Sequence, residues 1–470
     1  MVSVMRIFLS NLIWFFSTLP DAVRFWLALS NPEKAQKKAA SQRRPTKPED
    51  VILEEPTSGT TGGTKWIPYT EQLRKEFMRA INPWMASIYL RHPGLVFCTH
   101  YWSISPYTEV RQPEKGPRRG FAEDREYLGN VRSFLTKALF PVTAAVAGER
   151  DPERHLLKTA KALVSSRRLG LISVWHPSAL LRLLEFMSCN ADVVTSDLRL
   201  REALRFRQYM KVWPRLKLIS CWDRAFASAD AEKVRSFFPG VEVEGKGLLA
   251  TEGVVSVPWF ARRVAAVTSH NLMFEKVDGE TREPIEGTRV EIGKLEVGGR
   301  YGIVLTTGNG FKNYRLGDVV ECTGFVRNTP VIEFCRRSGG TVDLHGEKLH
   351  PAFIAEINSE LFRRYGSARF SILSPRSDRR GYRLFWECGD GCLPEADVVE
   401  SLLRSNYHYA YAVDMGQLLP VEVVSVRNGV ERWCKLMKIP LSSAKPPVLT
   451  SVQTDSLFST LTPPIGSLGF

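Results

Sequence analysis

The residues best equipped for chemistry stand together in Glu55-Pro56-Thr57-Ser58-Gly59-Thr60-Thr61-Gly62-Gly63-Thr64-Lys65. Eight of these eleven are Gly, Ser or Thr, and the last is a lysine. Glycines let backbone N–H groups wrap a phosphate, hydroxyls add donors, and the lysine adds a charge. The Walker pattern GxxxxGK[ST] does not apply. Thr64 occupies the place of its second glycine, and Trp66 follows Lys65 in place of a metal-binding hydroxyl. Pro68 opposes a helix beyond the loop, so the loop is expected between two extended segments. Metal chemistry on dedicated ligands finds no support: the eight histidines form no HExxH, and Cys388 and Cys392 lack the second pair of a zinc site. The eight cysteines read as reduced, mostly buried thiols.

Positioning such a loop needs a substantial core, and 470 residues at 44% hydrophobic and 24% charged provide one. The composition excludes collagen-like, low-complexity and wholly disordered classes. The charge balance, +14, points to anionic partners or to a solvated basic face without choosing between them. Short β-branched runs alternate with helical patterns, which predicts an α/β architecture. Ile7 to Leu19 is apolar but broken by Asn11 and ended by Pro20, too short to span a bilayer. It predicts an amphipathic helix packed on the body, with a second helix running through Leu29. Helices are also expected over Pro32 onward, Gln72–Leu90 with Thr70 as N-cap, Pro177–Met187, and Asp197–Lys211. Strands are expected at Val51–Glu54, Leu171–Val174, Leu216–Ser220 and Tyr301–Thr306. After about residue 337 the character changes, predicting domains at 1–337 and 338–470.

The run from Thr57 to Thr70 resembles the phosphate-binding signature of the adenylate-forming superfamily, most closely that of the auxin-responsive promoter (Gretchen Hagen) family of acyl acid–amido synthetases, bacterial branch. Other blocks arrive in the family's order. Gly247-Leu248-Leu249-Ala250-Thr251-Glu252-Gly253 resembles the second motif, and Thr306 to Gly310 with Tyr314-Arg315-Leu316-Gly317-Asp318 the third. Phe334 and Arg337 match the aromatic beside the nucleotide and the arginine at the domain junction. Asp343-Leu344-His345-Gly346-Glu347-Lys348-Leu349 opens the small domain, and Ala444-Lys445-Pro446-Pro447 resembles the segment with the catalytic lysine. The chain departs from the pattern at Asn309, Asn313, Arg336, Gly340, Ser443 and Ala444.

The resemblance implies an adenylate-forming fold, with a large N-terminal α/β domain and a small C-terminal α+β domain. It implies ATP and Mg²⁺ as cofactors, a carboxylic acid and an amine, expected to be an amino acid, as substrates, and amino-acid conjugation in secondary metabolism. Thr57, Ser58, Gly59, Thr60, Thr61, Gly62, Gly63 and Lys65 would hold the β- and γ-phosphates. Thr251 and Glu252, beside Ala250, would address the α-phosphate, with Glu252 on the metal. Asp318 would accept from the ribose diol, and Lys445 would neutralise charge at the α-phosphate. A cytoplasmic monomer without nucleic-acid partner or integral membrane span is expected. Two other readings stay open: a thioester ligase acting on coenzyme A or a carrier protein, and a basic binding protein with a decayed nucleotide site.

Overall fold

The computed structural model describes residues 2–42, 46–58, 64–103, 117–119, 139–142, 146, 149, 151–279, 282–366, 368–388, 392–437 and 446–454. The polypeptide forms two compact units, one built mainly from residues up to Ser338 and one from Gly339 onward. Gly339 and Gly340 both hold positive φ, +69° and +70°, a region any side chain would strain.

The first unit begins with one helix, Val2–Ala28, where two were expected. Pro20 is inside it. A proline removes one N–H, so one helical bond is lost on the side of Phe16, which is 61% exposed and open to water. Asn11, which interrupts the apolar run, is the anchor rather than a break. Its Nδ2 lies 2.9 to 3.2 Å from the carbonyls of Leu95, Val96 and Cys98. Its Oδ1 accepts from the Tyr89 hydroxyl at 2.6 Å and from His100 Nε2 at 2.9 Å. Burial drives His100 down to about 3, so the ring is neutral and the Nε2–H tautomer serves this bond.

Ile7, Trp14 and Phe25 from this helix join Leu73, Phe77 and Trp84 of the helix Glu71–Arg91 in one core. That core rests on a seven-stranded antiparallel sheet in the order Ser256–Trp259, Arg262–Ala265, Thr329–Arg337, Tyr314–Val326, Arg300–Thr306, Asn271–Val277, Pro284–Glu291. A second sheet is parallel: Thr99–Trp102, Leu169–Ser173, Leu218–Cys221 and Glu242–Gly245. Its middle strands are buried throughout, as strands flanked by the helices Pro152–Ser165, Pro177–Cys189 and Ser228–Phe237 must be.

The basic helix expected over Asp197–Lys211 is shorter, Leu198–Arg205. Asp197 caps it by accepting from the N–H groups of Arg199 and Leu200. Arg207 then takes φ +54°, and the turn carries Tyr209 and Trp213 into the core, where their rings stack. Burial of two large aromatics outweighs continuing a helix.

The second unit pairs Ala368–Pro375 antiparallel with Tyr382–Cys388, which runs parallel to Glu422–Ser425. Helices Pro351–Tyr365, Ala396–Leu403, Tyr407–Asp414 and Gly429–Met437 complete it, an α+β arrangement.

Candidate active site

The glycine-rich stretch joins two strands. Thr57 and Ser58 end Val51–Ser58, and Lys65 is the second residue of Thr64–Thr70. Gly59, Thr60, Thr61, Gly62 and Gly63 lie outside the described residues, as does Lys445. Thr70 closes the second strand and caps the next helix, its hydroxyl accepting from Leu73 N at 3.1 Å. The same hydroxyl donates to the carbonyl of Gly308 at 2.9 Å. The loop's exit strand is therefore tied to the turn that follows Arg300–Thr306.

That turn is closely held. Gly308 N donates to Glu76 Oε2 at 2.8 Å, and Thr307 Oγ1 donates to Asn309 Oδ1 at 2.7 Å. A Cβ at Gly308 would collide with Gln72, which explains the glycine. Glu76 was not singled out from the sequence. Its signal was position: three residues after Leu73 and four before Ala80, it shares their buried helix face.

Beside this turn stands the hairpin Leu249–Ala250 with Gly253–Val254, with Thr251 and Glu252 at its tip. Gly253 is the point of approach, since a Cβ there would be 3.1 Å from both His270 and Thr307. Glu252 is buried, and its Oε1 accepts from the Tyr314 hydroxyl at 3.3 Å. Burial, then the Glu252 carboxylate, pushes that hydroxyl well above the ordinary tyrosine range, so it stays a donor.

Tyr314 opens the strand Tyr314–Val326, and Asp318 lies four residues along it. Asp318 is 1% exposed, with Arg337 Nε 3.0 Å from its Oδ1. The two are cross-strand partners. Phe334 sits three residues before Arg337, a spacing that puts side chains on opposite faces of a regular strand. The register shifts between Val319 and Val320, so Asp318 faces Arg337 while Val320 faces Phe334. Asp318 and Val320 are two apart and share a face, so the bulge brings Phe334 and Arg337 onto it together. The structure thus assembles Ala250, Thr251, Glu252, Tyr314 and the Thr307 turn, with Asp318, Phe334 and Arg337 on the adjoining strands.

A different cluster lies at the carboxyl ends of the parallel strands, where α/β sheets bind ligands. Lys246, directly after Glu242–Gly245, is 8% exposed. Its Nζ donates to Ser173 Oγ at 2.6 Å and stands 5.1 Å from the Trp84 ring and 4.9 Å from the Trp175 ring. Trp84 is fixed from behind, donating Nε1–H to Glu244 Oε1 at 2.9 Å and stacking on Trp102. Nothing in a single lysine before a glycine announces such a cage.

In the second unit, Glu347 organises the Asp343–Leu349 turn. It accepts from Leu344 N at 2.7 Å, from His345 N at 2.8 Å and from the Tyr382 hydroxyl. Burial and the charge of Asp343 push its carboxyl up to about 7.

Comparison with known proteins bears on the chain's domains and fold. The GH3 family N-terminal domain matches residues 48–204, and the GH3 family central domain matches residues 266–337. Indole-3-acetic acid-amido synthetase GH3.8 of Oryza sativa subsp. indica is 30% identical over 157 residues, covering 30% of this chain and 26% of that protein. Probable indole-3-acetic acid-amido synthetase GH3.9 of Oryza sativa subsp. japonica is 26% identical over 253 residues, covering 47% and 55%. These matches span between about a quarter and about half of the relatives' own length. The solved structure of GH3.15 acyl acid amido synthetase superposes with a TM-score of 0.51 at 16% identity, over 90% of this chain and 83% of that one. A complex of AtGH3.15 with 2,4-DB gives 0.53 at 15% identity, over 87% and 80%. The fold is that of the GH3.15 acyl acid amido synthetase structures.

Proposed function

We propose, from the premise that this chain carries the N-terminal and central domains of the GH3 family, that it adenylates a carboxylic acid and passes the acyl group to an amine. The amine we propose is an amino acid, as the names of the amido synthetase relatives suggest, and the chain belongs to the bacterial branch by its motif blocks. The observation that carries the reading is the approach of the Glu252 hairpin to the Thr307 turn and to Tyr314, which opens the strand on which Asp318 pairs with Arg337.

A carboxylate oxygen attacks the α-phosphorus of ATP, the bond to the β-phosphate oxygen breaks, and pyrophosphate leaves. The amine nitrogen then attacks the acyl carbon, the carbon–oxygen bond to AMP breaks, and the nitrogen loses a proton. The protein's work is positioning and charge placement, so no nucleophilic side chain is required. Asp318 accepts from the ribose diol, with Arg337 holding its carboxylate in place. Phe334, on the same face, packs on the nucleotide. Thr57 to Lys65 cradle the β- and γ-phosphates. Glu252 and Thr251 are hard oxygen donors at a hairpin tip, and this donor set fits Mg²⁺, which neutralises phosphate charge when bound. Tyr314 keeps the Glu252 carboxylate aimed by its hydrogen bond. Lys445 meets the charge that develops between carboxylate and α-phosphate. On the acyl side, Lys246 offers its ammonium to the acid between two indole faces.

Acid-dependent ATP–pyrophosphate exchange across a panel of aryl and medium-chain acids tests the first step. AMP release supported by amino acids and not by coenzyme A tests the second. No exchange with any acid sinks the proposal, and thiol-only turnover replaces it with a thioester ligase. Lys445→Ala should lower exchange about 100-fold while sparing amide formation from supplied acyl-adenylate.

A further inference from the structure

The helix Val2–Ala28 is apolar on two faces, and only one is used. Ile7, Trp14, Ala22 and Phe25 are buried, and the Asn11 network locks that face inward. On the opposite side Met5, Leu9, Ile13, Phe16, Val23 and Leu27 are all exposed, between 49% and 65%. At 100° per residue they form one stripe, completed by Pro20 and free of charge, about 33 Å long at 1.5 Å per residue. None of these residues belongs to the proposed active site.

Two further features adjoin the stripe's carboxyl end. Trp26 is 43% exposed and packs near Trp259, whose neighbour Phe260 is 45% exposed. Phe260 holds φ +49° at the tip of the hairpin between Ser256–Trp259 and Arg262–Ala265, an uncommon conformation for an aromatic, and it presents the ring to solvent. Around Leu27 opens a cleft of about 450 Å³ whose walls include Arg24, Lys34, Lys38 and Arg79. The Arg327 guanidinium lies 3.6 Å from the Trp26 ring centroid.

We propose that this face is a docking surface for an anionic lipid bilayer. The helix lies in the plane of the interface, with the stripe and Phe260 below the headgroups and the basic cleft against lipid phosphates. An apolar stripe, interfacial tryptophan and flanking cations are the chemistry of an interfacial helix. Among the described residues no helix is long and apolar enough to cross a membrane, so the attachment is on one leaflet. Charge decides against a second copy of the chain. A two-fold pairing along the stripe would set Arg6 and Arg24 against the same cations of the partner, whereas anionic headgroups complement them. The proposal stands apart from the proposed catalysis.

The test is co-sedimentation of the full chain with vesicles of phosphatidylcholine alone and with about 30 mol% phosphatidylglycerol added. Binding is expected to the anionic vesicles and to fall as salt rises. The double variant Leu9→Glu with Phe16→Glu should weaken it at least about tenfold, since two large apolar groups no longer partition. Arg24→Gln with Lys34→Gln and Lys38→Gln should remove the preference for anionic lipid. All these side chains are at the surface, so melting temperatures should match the parent's. Failure of the parent to bind any vesicle overturns the proposal, as does undiminished binding by the stripe variant. A lipid-free dimer that the stripe variant converts to monomer overturns it too, by assigning the surface to self-association.

Discussion

The proposed nucleotide face and the proposed acyl-side cage are built by opposite means. On the nucleotide face, short segments do the work: a two-residue hairpin tip, a turn tied to Glu76 and Thr70, and one pair of adjacent strands. The cage draws single side chains from distant places, Trp84 from a helix, Ser173 and Trp175 from one strand end, and Lys246 from another. Phosphate and ribose are the same in every ATP, so turns and adjacent strands of fixed local geometry would suit them. A variable acid would be met by side chains that can change one at a time.

The comparison breaks first at Asp318. Its carboxylate is buried and ion-paired with Arg337, and Asp318→Ala would remove the proposed two-point, charge-assisted contact to the ribose while leaving the strand pairing intact. We expect a rise in the ATP requirement of roughly 30- to 1000-fold, about 2–4 kcal/mol, with an unchanged fold by circular dichroism. Normal exchange kinetics in a folded variant would remove the ribose role.

A second motif carboxylate sharpens the contrast because its work is structural. Glu347 is pushed up from 4.5 to about 7. Its folded pKa lies above its unfolded one, so folding favours the protonated form. The stability it contributes is fully present below about 4.5 and is lost as pH rises through about 7, a span of about 3 kcal/mol. Thermal melts between pH 4.5 and 8 should show this decline in the parent and a much flatter profile in Glu347→Gln. Equal slopes would mean the carboxyl is not protonated in the folded chain.

Much of this was legible because turns and caps are local. Thr70 before Gln72, Asn31 before Pro32 and the two strands around the glycine loop are all where adjacent residues place them. What stayed hidden depends on long-range burial. Asn11 reads as an interruption until the carbonyls of residues 95–98 meet it, and the spacing that puts Glu76 on a buried helix face does not name its partner, Gly308 N. Arg207 leaves the helical region because Tyr209 and Trp213 must reach the core. Trp84 and Trp175 lie 91 residues apart, and nothing local pairs them. They converge only through Lys246.

That convergence gives a smaller, separable effect. Lys246→Met keeps the apolar stem between the indoles and removes the ammonium. The KM for the acid should rise about 10- to 30-fold, roughly 1.5–2 kcal/mol, while the KM for ATP stays put. Parallel changes in both would merge the two regions that the comparison separates.

The smallest expected effect tests the bulge. Phe334 shares a face with Asp318 only because the register slips between Val319 and Val320. Phe334→Leu keeps an apolar side chain of similar reach on a half-buried position and removes the flat ring, so stability should change little. If the ring lies on the nucleotide, the loss is its stacking, about 0.5–1.5 kcal/mol, and the KM for ATP should rise roughly 3- to 10-fold. The KM for the acid should not move, because Phe334 stands on the antiparallel sheet and the cage on the parallel one. Cys335→Val, at the extra residue of the bulge, asks the same question of the backbone. A β-branched residue favours regular pairing. If it restores that pairing, Phe334 and Arg337 part to opposite faces and ATP use falls together with the Asp318–Arg337 contact. An unchanged KM for ATP in Phe334→Leu would leave Phe334 as a core aromatic and limit the nucleotide face to Asp318, Arg337 and the two turns.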